Sequence, residues 1–291
     1  VKFWTEAVQM KVLRQGEGPD GLRSVVLGFG GEGAKDGANF GFEVKLDPEV
    51  LKRPRPRLLN YDVLQPTVDA LNFVQVSATG KIIEIFGRVQ NSGGASLIGD
   101  ASYVDVESPR GVPVRMIPRT TKPTVELVSF NIEVPAFEAT TKFYQRAFGL
   151  KELKYPGSEP PVQKLSAYLG SDAGGPNLLL SPVPDGRLKE RPLDEFEGLL
   201  MVAPSASDVG KAASSAAEKA LQELAEKEAA LKERRRLAKE GGEQVSSLKR
   251  LLGGTKAKPS VAMQDKTARV NDGLGNIVFV SDQSDFDRSI A

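Results

Sequence analysis

The chain has 291 residues, 40% of them hydrophobic and 26% charged, which is ordinary globular composition and enough length for two domains. Its 39 basic and 38 acidic residues leave a net charge of +1, which argues against a nucleic-acid-binding protein, since phosphate binding needs a concentrated positive field. The absence of cysteine and histidine excludes disulfides, thiolate nucleophiles, histidine-containing triads and histidine-ligated metals. No apolar run approaches the roughly 20 residues of a membrane span.

The first predicted element is a helix that already contains Val1, and it opens a sequence repeat. Residues 2–13 match residues 142–153 at a constant offset of 140, with lysine, an aromatic pair, alanine, a large apolar residue, lysine and leucine recurring. Each copy is followed by a turn-rich stretch and a short apolar strand that ends in Leu-Gly, at residues 27–28 and 169–170. The repeat therefore predicts two halves with the same order of elements.

Each half continues with a strand, near residues 71–78 and 199–203, then a helix, and closes on two strands joined by Gly111 or Gly275. Short strands around single helices predict an α+β fold of paired βαβββ modules in two tandem domains. The second half shows its opening strand near residues 125–134, and the first half begins one element late. The proline-rich segment 118–123 predicts a linker, which places the domains at residues 1–119 and 124–291.

The second half also carries a predicted helical insertion, at about residues 207–265. The stretch from Val209 to Glu240 is rich in Ala, Leu, Glu, Lys and Arg, and Gly241-Gly242 should end the helix. Glu223 with Lys227 is a pair at i, i+4, which supports a solvated helix. A second short helix is predicted at 243–252. Solvated decoration is the simplest interpretation of such a helix. An arm that docks on another protein is the functional alternative, because so long a polar helix needs another surface to pack on.

Two further motifs fit loops better than ligand sites. Residues 28–33 satisfy GxGxxG after an apolar strand, but a loop follows where dinucleotide binding requires a helix to begin. Residues 52–57 form a basic, proline-rich stretch, for which a solvated loop is the simplest interpretation. An acidic protein or an anionic lipid surface is the functional alternative for this stretch.

Taken together, residues 143–153, residues 27–30 and the closing residues 271–280 resemble the two-domain plant and algal type of glyoxalase I (lactoylglutathione lyase), within the vicinal oxygen chelate superfamily. The resemblance implies that paired βαβββ modules curl into a cup that holds a divalent metal. It also implies isomerisation of the hemithioacetal of methylglyoxal and glutathione, and its plant and algal character favours a plastid location.

The same resemblance implies metal ligands on the first, fourth, fifth and eighth strands of each domain. In the first domain the opening strand lies before Val1, Glu43 matches the fourth-strand carboxylate, Asn72 falls near the fifth-strand ligand, and Arg115 falls where the last glutamate belongs. The second domain has Ser129, Leu179, Gly198 and Phe279 at these positions. A guanidinium offers only N–H donors and a fixed positive charge, and aliphatic or aromatic carbon offers no lone pair. An ion pair between Arg115 and Glu43 in place of the metal is a further hypothesis.

We therefore expect no bound metal, no cofactor and no lyase activity, with Glu43 as the single retained candidate. The leading hypothesis is a catalytically inactive glyoxalase-like protein with a structural or regulatory role in a larger assembly, contacting other subunits through residues 209–252. One alternative is a lactoylglutathione lyase or related enzyme that holds Zn²⁺, Ni²⁺ or Mn²⁺. The other is a protein whose cup binds a small molecule without metal.

Overall fold

The structure is a computed structural model that describes residues 1–17, 21–30, 41–52, 70–99, 102–155, 166–171, 176–188, 199–203, 206–240, 260–264, 267–271 and 277–282. A single π-helical turn, Phe3–Ala7, precedes β1 (Lys11–Glu17), β2 (Arg23–Gly28), β3 (Gly41–Leu46) and the short helix α1 (Pro48–Lys52). A second group contains β4 (Leu71–Ala78), α2 (Ile82–Asn91), β5 (Ala95–Gly99), β6 (Val104–Glu107) and β7 (Pro113–Pro118).

A third group contains β8 (Val125–Glu133), α3 (Val134–Phe148), β9 (Lys151–Glu152), β10 (Ala167–Gly170) and β11 (Asn177–Val183). The last contains β12 (Leu199–Ala203), α4 (Ala206–Glu240), β13 (Ser260–Gln264), β14 (Thr267–Asn271) and β15 (Ile277–Asp282). The second, third and last groups each have the order βαβββ, and in each the first strand runs parallel to the last, as β4 with β7, β8 with β11 and β12 with β15. The predicted α+β fold of paired βαβββ modules is confirmed.

The strands form three sheets, and the largest crosses the predicted domain boundary. Its eight strands have the order β5-β6-β7-β4-β8-β11-β10-β9, so the second and third groups share one sheet. They meet where β4 pairs antiparallel with β8, with Val74 opposite Val128 and Gln75 opposite Leu127. The division into domains at residues 119 and 124 stays a prediction, and strands on both sides of it belong to one sheet.

The sequence repeat is reproduced in the packing of side chains. Phe3 and Trp4 are buried with their rings edge to face at 5.2 Å, and Phe143 and Tyr144 repeat this arrangement at the same centroid distance. Each helical segment is followed by a left-handed residue, Gln9 with φ of 68° and Gly149 with φ of 65°. Glycine is the usual residue in this conformation at a helix end. The first copy instead has a glutamine, whose side-chain oxygen accepts a hydrogen bond from Thr79 Oγ1 at 2.6 Å.

The long helix of the second half is present and includes all of the predicted span from Val209 to Glu240. It lies between β12 and β13, which is the position of the helix in a βαβββ module. The helix is therefore part of the module and not only an insertion into it. One stripe of small side chains is buried: Ala213, Ala216, Ala217 and Ala220. This stripe packs into the same core as α3, which explains why a helix with few large apolar residues is held firmly.

Ion pairs fix the same two helices against each other. Glu223 accepts hydrogen bonds from Lys142 Nζ at 3.0 Å and Arg146 Nη2 at 2.8 Å, and Lys227 binds Glu138. The predicted i, i+4 pair of Glu223 with Lys227 is therefore wrong, because both side chains reach across to α3. Residue numbers rise along α3 as they fall along α4, so the helices are antiparallel.

Other sequence predictions have mixed outcomes. Gly111 does join β6 to β7, with a left-handed φ of 83°. The short helix predicted at 243–252, the glycine Gly275 and most of the basic stretch 52–57 lie outside the described residues. Among the helices that are described, none has the length and apolar character needed to span a membrane.

Candidate functional site

The eight-stranded sheet brings four of the seven candidate positions onto adjacent strands. Asn72 lies on β4, Arg115 on β7, Ser129 on β8 and Leu179 on β11. Asn72 sits at an irregularity in the β4–β8 register, and its Nδ2 donates a hydrogen bond to Ser129 Oγ at 3.2 Å. Ser129 is in turn the register partner of Leu179. A β-bulge changes the direction in which a side chain points, which explains why the side chain of Asn72 is directed toward Ser129 on the neighbouring strand β8.

Arg115 is held on three sides. Its Nε donates to Asp105 Oδ1 at 2.7 Å and its Nη2 to Asp105 Oδ2 at 2.8 Å, a two-pronged pair between neighbouring strands β6 and β7. The guanidinium carbon lies 4.2 Å from the ring centre of Phe73 and 4.7 Å from that of Tyr103. Planar guanidinium groups favour both arrangements, bidentate carboxylate binding and stacking on aromatic rings.

The positive charge of Arg115 is permanent at physiological pH. Burial by itself would lower the pKa of Arg115, but the hydrogen bonds and negative charge of Asp105 outweigh burial and raise that pKa above its usual value. Residue Arg115 is only 9% exposed, so its charge is compensated within the protein and not by bulk water. A fixed internal cation and its counter-ion thus lie where the resemblance places a metal ligand.

Leu179 lies in an apolar cluster formed by residues of β8, β10 and β11. It packs with Leu127 and Tyr168, and the partly buried rings of Phe73 and Tyr155 cover them. The Tyr168 hydroxyl accepts a hydrogen bond from Asn177 Nδ2, and burial raises the pKa of this phenol. The cluster supplies packing at a position where a metal site needs an oxygen or nitrogen donor.

The remaining three candidate positions do not join this group. Glu43 lies on β3, in the separate three-stranded sheet, and its side chain is exposed. The hypothesis of an Arg115–Glu43 ion pair is therefore wrong, because the partner of Arg115 is Asp105 across the β6–β7 hairpin. Gly198 lies outside the described residues, and Phe279 belongs to β15, opposite Leu200 and Arg269 in the four-stranded sheet.

Sequence reasoning missed Asp105, Phe73 and Tyr103, which hold Arg115 in place. A signal for Asp105 was present, because Asp105 and Arg115 flank the predicted turn at Gly111 and become register partners when the two strands pair. Cross-strand pairs of opposite charge are common on one face of a hairpin. The two aromatic residues gave no comparable signal, since their position depends on how the strands order in the sheet.

A divalent cation does not fit the four side chains that lie on the eight-stranded sheet. Asn72 and Ser129 offer neutral oxygens, Leu179 offers none, and Arg115 adds a positive charge that repels a metal ion. Asp105 is already bound to Arg115. Within the described ranges there is no group of three or more acidic side chains that could hold a metal.

A small cavity opens beside the Arg115–Asp105 pair, with a volume of about 220 Å³. Side chains from β4, β5, β6 and β7 line it, among them Asn72, Phe73, Leu97, Asp105 and Arg115. The cavity therefore belongs to one module, and it is smaller than the roughly 300–1,000 Å³ of sites for drug-sized ligands.

Comparison with known proteins assigns the fold. Residues 126–250 match the family model described as the glyoxalase/bleomycin resistance protein/dioxygenase superfamily. The chain resembles the crystal structure of glyoxalase I from Zea mays with a TM-score of 0.60 and 19% identity, over 99% of this chain and 89% of that one. A mutant of the same enzyme gives a TM-score of 0.61 and 18% identity, over 100% and 89% of the two chains.

A more distant structure has the same architecture. A putative dioxygenase from Bacillus subtilis has a TM-score of 0.53 and 12% identity, over 97% of this chain and 80% of that one. No curated protein matches the chain in sequence. At these identities the structural likeness concerns the fold alone, so the chemistry must be argued from the side chains on the eight-stranded sheet.

Proposed function

We propose that this chain, whose residues 126–250 form a domain of the glyoxalase/bleomycin resistance protein/dioxygenase superfamily, is a non-catalytic member with a structural or regulatory role in a protein assembly. The observation that supports a loss of catalysis is the Arg115–Asp105 pair, whose guanidinium stacks on Phe73 and Tyr103. A lyase of the glyoxalase I kind needs a metal and a carboxylate base at this place. Here the carboxylate of Asp105 is bound to a guanidinium, and the four candidate side chains on this sheet do not make a ligand set for a metal.

An activity assay tests the loss of catalysis. Purified chain is incubated with the hemithioacetal of methylglyoxal and glutathione, with Zn²⁺, Ni²⁺ or Mn²⁺ added in turn, and formation of the thioester is followed. We expect no turnover above the rate without protein. Turnover that appears with one of the metals and disappears on chelation would support the rival hypothesis, a metal-dependent lyase.

The far end of α4 supports the role in an assembly. Lys227 of α4 binds Glu138, the fifth residue of α3. Because the two helices are antiparallel, residue 231, four residues further along α4, lies about level with the beginning of α3. The nine residues 232–240 extend further, about 14 Å at 1.5 Å per residue. The side chains of Lys232, Arg234 and Arg236 are exposed there, and Arg236 is paired with the exposed Glu233. The exposed side chains of this segment still carry an excess of positive charge, which suits an acidic partner protein.

The assembly role is tested by the size of the native complex. Tagged chain is extracted gently from its source, and its elution on a sizing column is compared with that of Lys232→Glu/Arg234→Glu/Arg236→Glu. We expect wild type in a large complex and the triple variant released from it. The matched control is Lys211→Glu/Lys219→Glu. Both lysines are exposed in the first half of α4, away from residues 232–240, so this variant should stay in the complex. Wild type that elutes as a lone chain contradicts the role.

A plastid location belongs to the same proposal and rests on the likeness to a plant enzyme. Cell fractionation followed by immunoblotting checks it. Recovery of the native protein with the stromal or thylakoid fraction supports the location, and recovery with the cytosolic fraction contradicts it.

A further inference from the structure

An exposed apolar patch lies beside residues 232–240, the overhang of α4, at the beginning of α3. Val134, the first residue of α3, is 57% exposed, and Pro135 is exposed next to it. Ala230 is exposed on α4, seven residues after Glu223, and therefore lies on the side of α4 that faces α3. In the antiparallel pair of helices, Ala230 is about level with Pro135. We call the side chains of Val134, Pro135 and Ala230 the apolar step.

Basic side chains border the apolar step. Arg234 comes seven residues after Lys227, which binds Glu138 of α3, so Arg234 lies on the same side of α4 and beyond the beginning of α3. Lys232 is exposed on the same overhang. With the side chains that the structure describes, neither Lys232 nor Arg234 forms an ion pair. Their charges are therefore available to a partner.

The acidic side chains described at the beginning of α3 and on the overhang already have partners: Glu138 with Lys142 and Lys227, Glu233 with Arg236, and Glu133 with the backbone N–H of Gly186. Together, the step and the overhang present a small apolar surface with positive charge at its edge. Opposite charge steers a partner to such a surface and disfavours a basic one, and apolar contact adds affinity.

On the premise of the assembly role proposed above, we propose that the apolar step and the overhang together bind an acidic segment of a partner protein that carries an apolar side chain among its carboxylates. The carboxylates of this segment pair with Lys232 and Arg234. Its apolar side chain covers Val134 and Pro135.

The distance between the two parts of the surface sets the spacing in the partner. Residue 231 is about level with Val134, and Arg234 comes three residues later, about 4.5 Å further along the helix axis. The axes of packed helices lie about 8–10 Å apart. Val134 and Arg234 are therefore separated by roughly 10 Å, which three residues of an extended segment span. A carboxylate three residues from the apolar side chain reaches Arg234.

Two labelled peptides that differ in one residue test this recognition on the full chain. One is Glu-Glu-Glu-Leu-Glu-Glu-Glu, and the other has serine in place of the leucine. Fluorescence anisotropy at low ionic strength should show that the leucine peptide binds about fivefold more tightly, because its apolar side chain is removed from water. Equal affinities, or no binding of the leucine peptide, overturn the proposal.

A competitor separates an acidic protein segment from a nucleic acid. Unlabelled leucine peptide should displace the labelled one at a lower concentration of negative charge than dodecathymidylate does, because the oligonucleotide has no apolar side chain for the step. More effective displacement by dodecathymidylate would indicate a nucleic-acid surface and overturn the proposal.

Two variants test the location. Val134→Ser should lower the affinity for the leucine peptide to that for the serine peptide. Lys232→Glu/Arg234→Glu should weaken both peptides at least about tenfold, because attraction becomes repulsion. The matched control is Ile83→Ser on α2, at a side chain that is 73% exposed, and it should bind both peptides as wild type does. A preference for leucine that persists in Val134→Ser, or that Ile83→Ser also abolishes, contradicts the proposal.

The peptide measurements fail separately from the assembly role. A native chain that elutes alone contradicts the assembly role, whatever the peptides do. A native chain in a large complex, together with equal binding of the two peptides, contradicts the acidic and apolar partner and leaves the assembly role standing.

Discussion

Arg115 is the residue on which the chemistry of the candidate site depends. A buried ion pair rarely adds much net stability, because both charges give up water, but removal of one partner leaves the other uncompensated. Here both charges are almost enclosed, with side-chain exposures of 11% for Arg115 and 19% for Asp105. Stacking against Phe73 and Tyr103 adds a favourable contribution that a lysine could not reproduce as well.

Replacing Arg115 with Met should therefore lower the free energy of unfolding by about 2–3 kcal/mol, somewhat less than for a fully enclosed pair. The double variant Arg115→Met/Asp105→Leu should recover most of this loss, because it removes the stranded carboxylate. Urea unfolding of the two variants and wild type measures the difference. If the double variant is as unstable as the single one, the loss of stability does not come from an unpaired Asp105 carboxylate, and the account of this ion pair is wrong.

At this scale, the resemblance selected four positions that lie on adjacent strands of one sheet, but it could not describe their environment. Asn72, Arg115, Ser129 and Leu179 were placed by resemblance, and they do lie on one sheet. The partner of Arg115 was assigned to Glu43 because both were expected in one metal site. The strand order decides otherwise, since β7 lies beside β6 and far from β3 in the topology.

Among the elements, α4 shows how small side chains substitute for large apolar ones. Ala213, Ala217 and Ala220 are fully enclosed, with exposures of 0%. Two helices can approach each other closely where their contact residues are small. The interface between α4 and α3 therefore leaves little space for a larger side chain.

Ala217→Leu should destabilise the chain by about 1–3 kcal/mol, because extra methylene groups in a filled interface force neighbouring side chains apart. The matched control is Ala225→Leu on the same helix, where the position is exposed, and its expected change is near zero. Thermal or urea unfolding compares the two. Equal stability of both variants would mean that α4 is not packed on α3 as described.

The ion pairs between α3 and α4 make this packing depend on pH. Lys227 and then Lys142 lower the pKa of Glu138 from 4.5 to about 2, and Arg146 and then Lys142 lower that of Glu223. A carboxyl whose folded pKa lies below its unfolded value stabilises the fold above the unfolded pKa. The contribution is lost as the pH falls through the folded value.

Protection of α3 and α4 from hydrogen exchange should therefore fall between about pH 4.5 and about pH 2, beyond the intrinsic pH dependence of exchange. Added salt should weaken the same helix contact, because these groups are exposed. The control is Glu138→Gln/Glu223→Gln, in which this part of the pH dependence should disappear. A double variant with the same pH dependence as wild type would assign the effect to other carboxyl groups.

For the molecule as a whole, the local patterns predicted the modules but not their pairing. The α+β class, the repeat, the strands β4, β8 and β12 and the long helix all follow from periodicity and turn residues. Which modules share a sheet depends on the contact of β4 with β8, across the linker at residues 118–123. That contact is formed by buried apolar side chains such as Val74 and Val128. Valine occurs in many of the strands, so its presence alone does not indicate which two strands pair.

This pairing determines which side chains meet, and so it determines the chemistry. Because β4 pairs with β8, Asn72 contacts Ser129 and all four positions lie on neighbouring strands, whereas Glu43 lies in another sheet. The central claim is that this sheet holds an internal ion pair at a position where the resemblance to glyoxalase I implies a metal ligand.

Metal content measures this claim most directly. The chain is purified without chelators from medium supplemented with Zn²⁺, Ni²⁺ and Mn²⁺, dialysed, and analysed by inductively coupled plasma mass spectrometry. The expected result is far less than one equivalent of each metal per chain, equal in wild type and Asn72→Ala/Ser129→Ala. One equivalent in wild type that is lost in this double variant would contradict the claim.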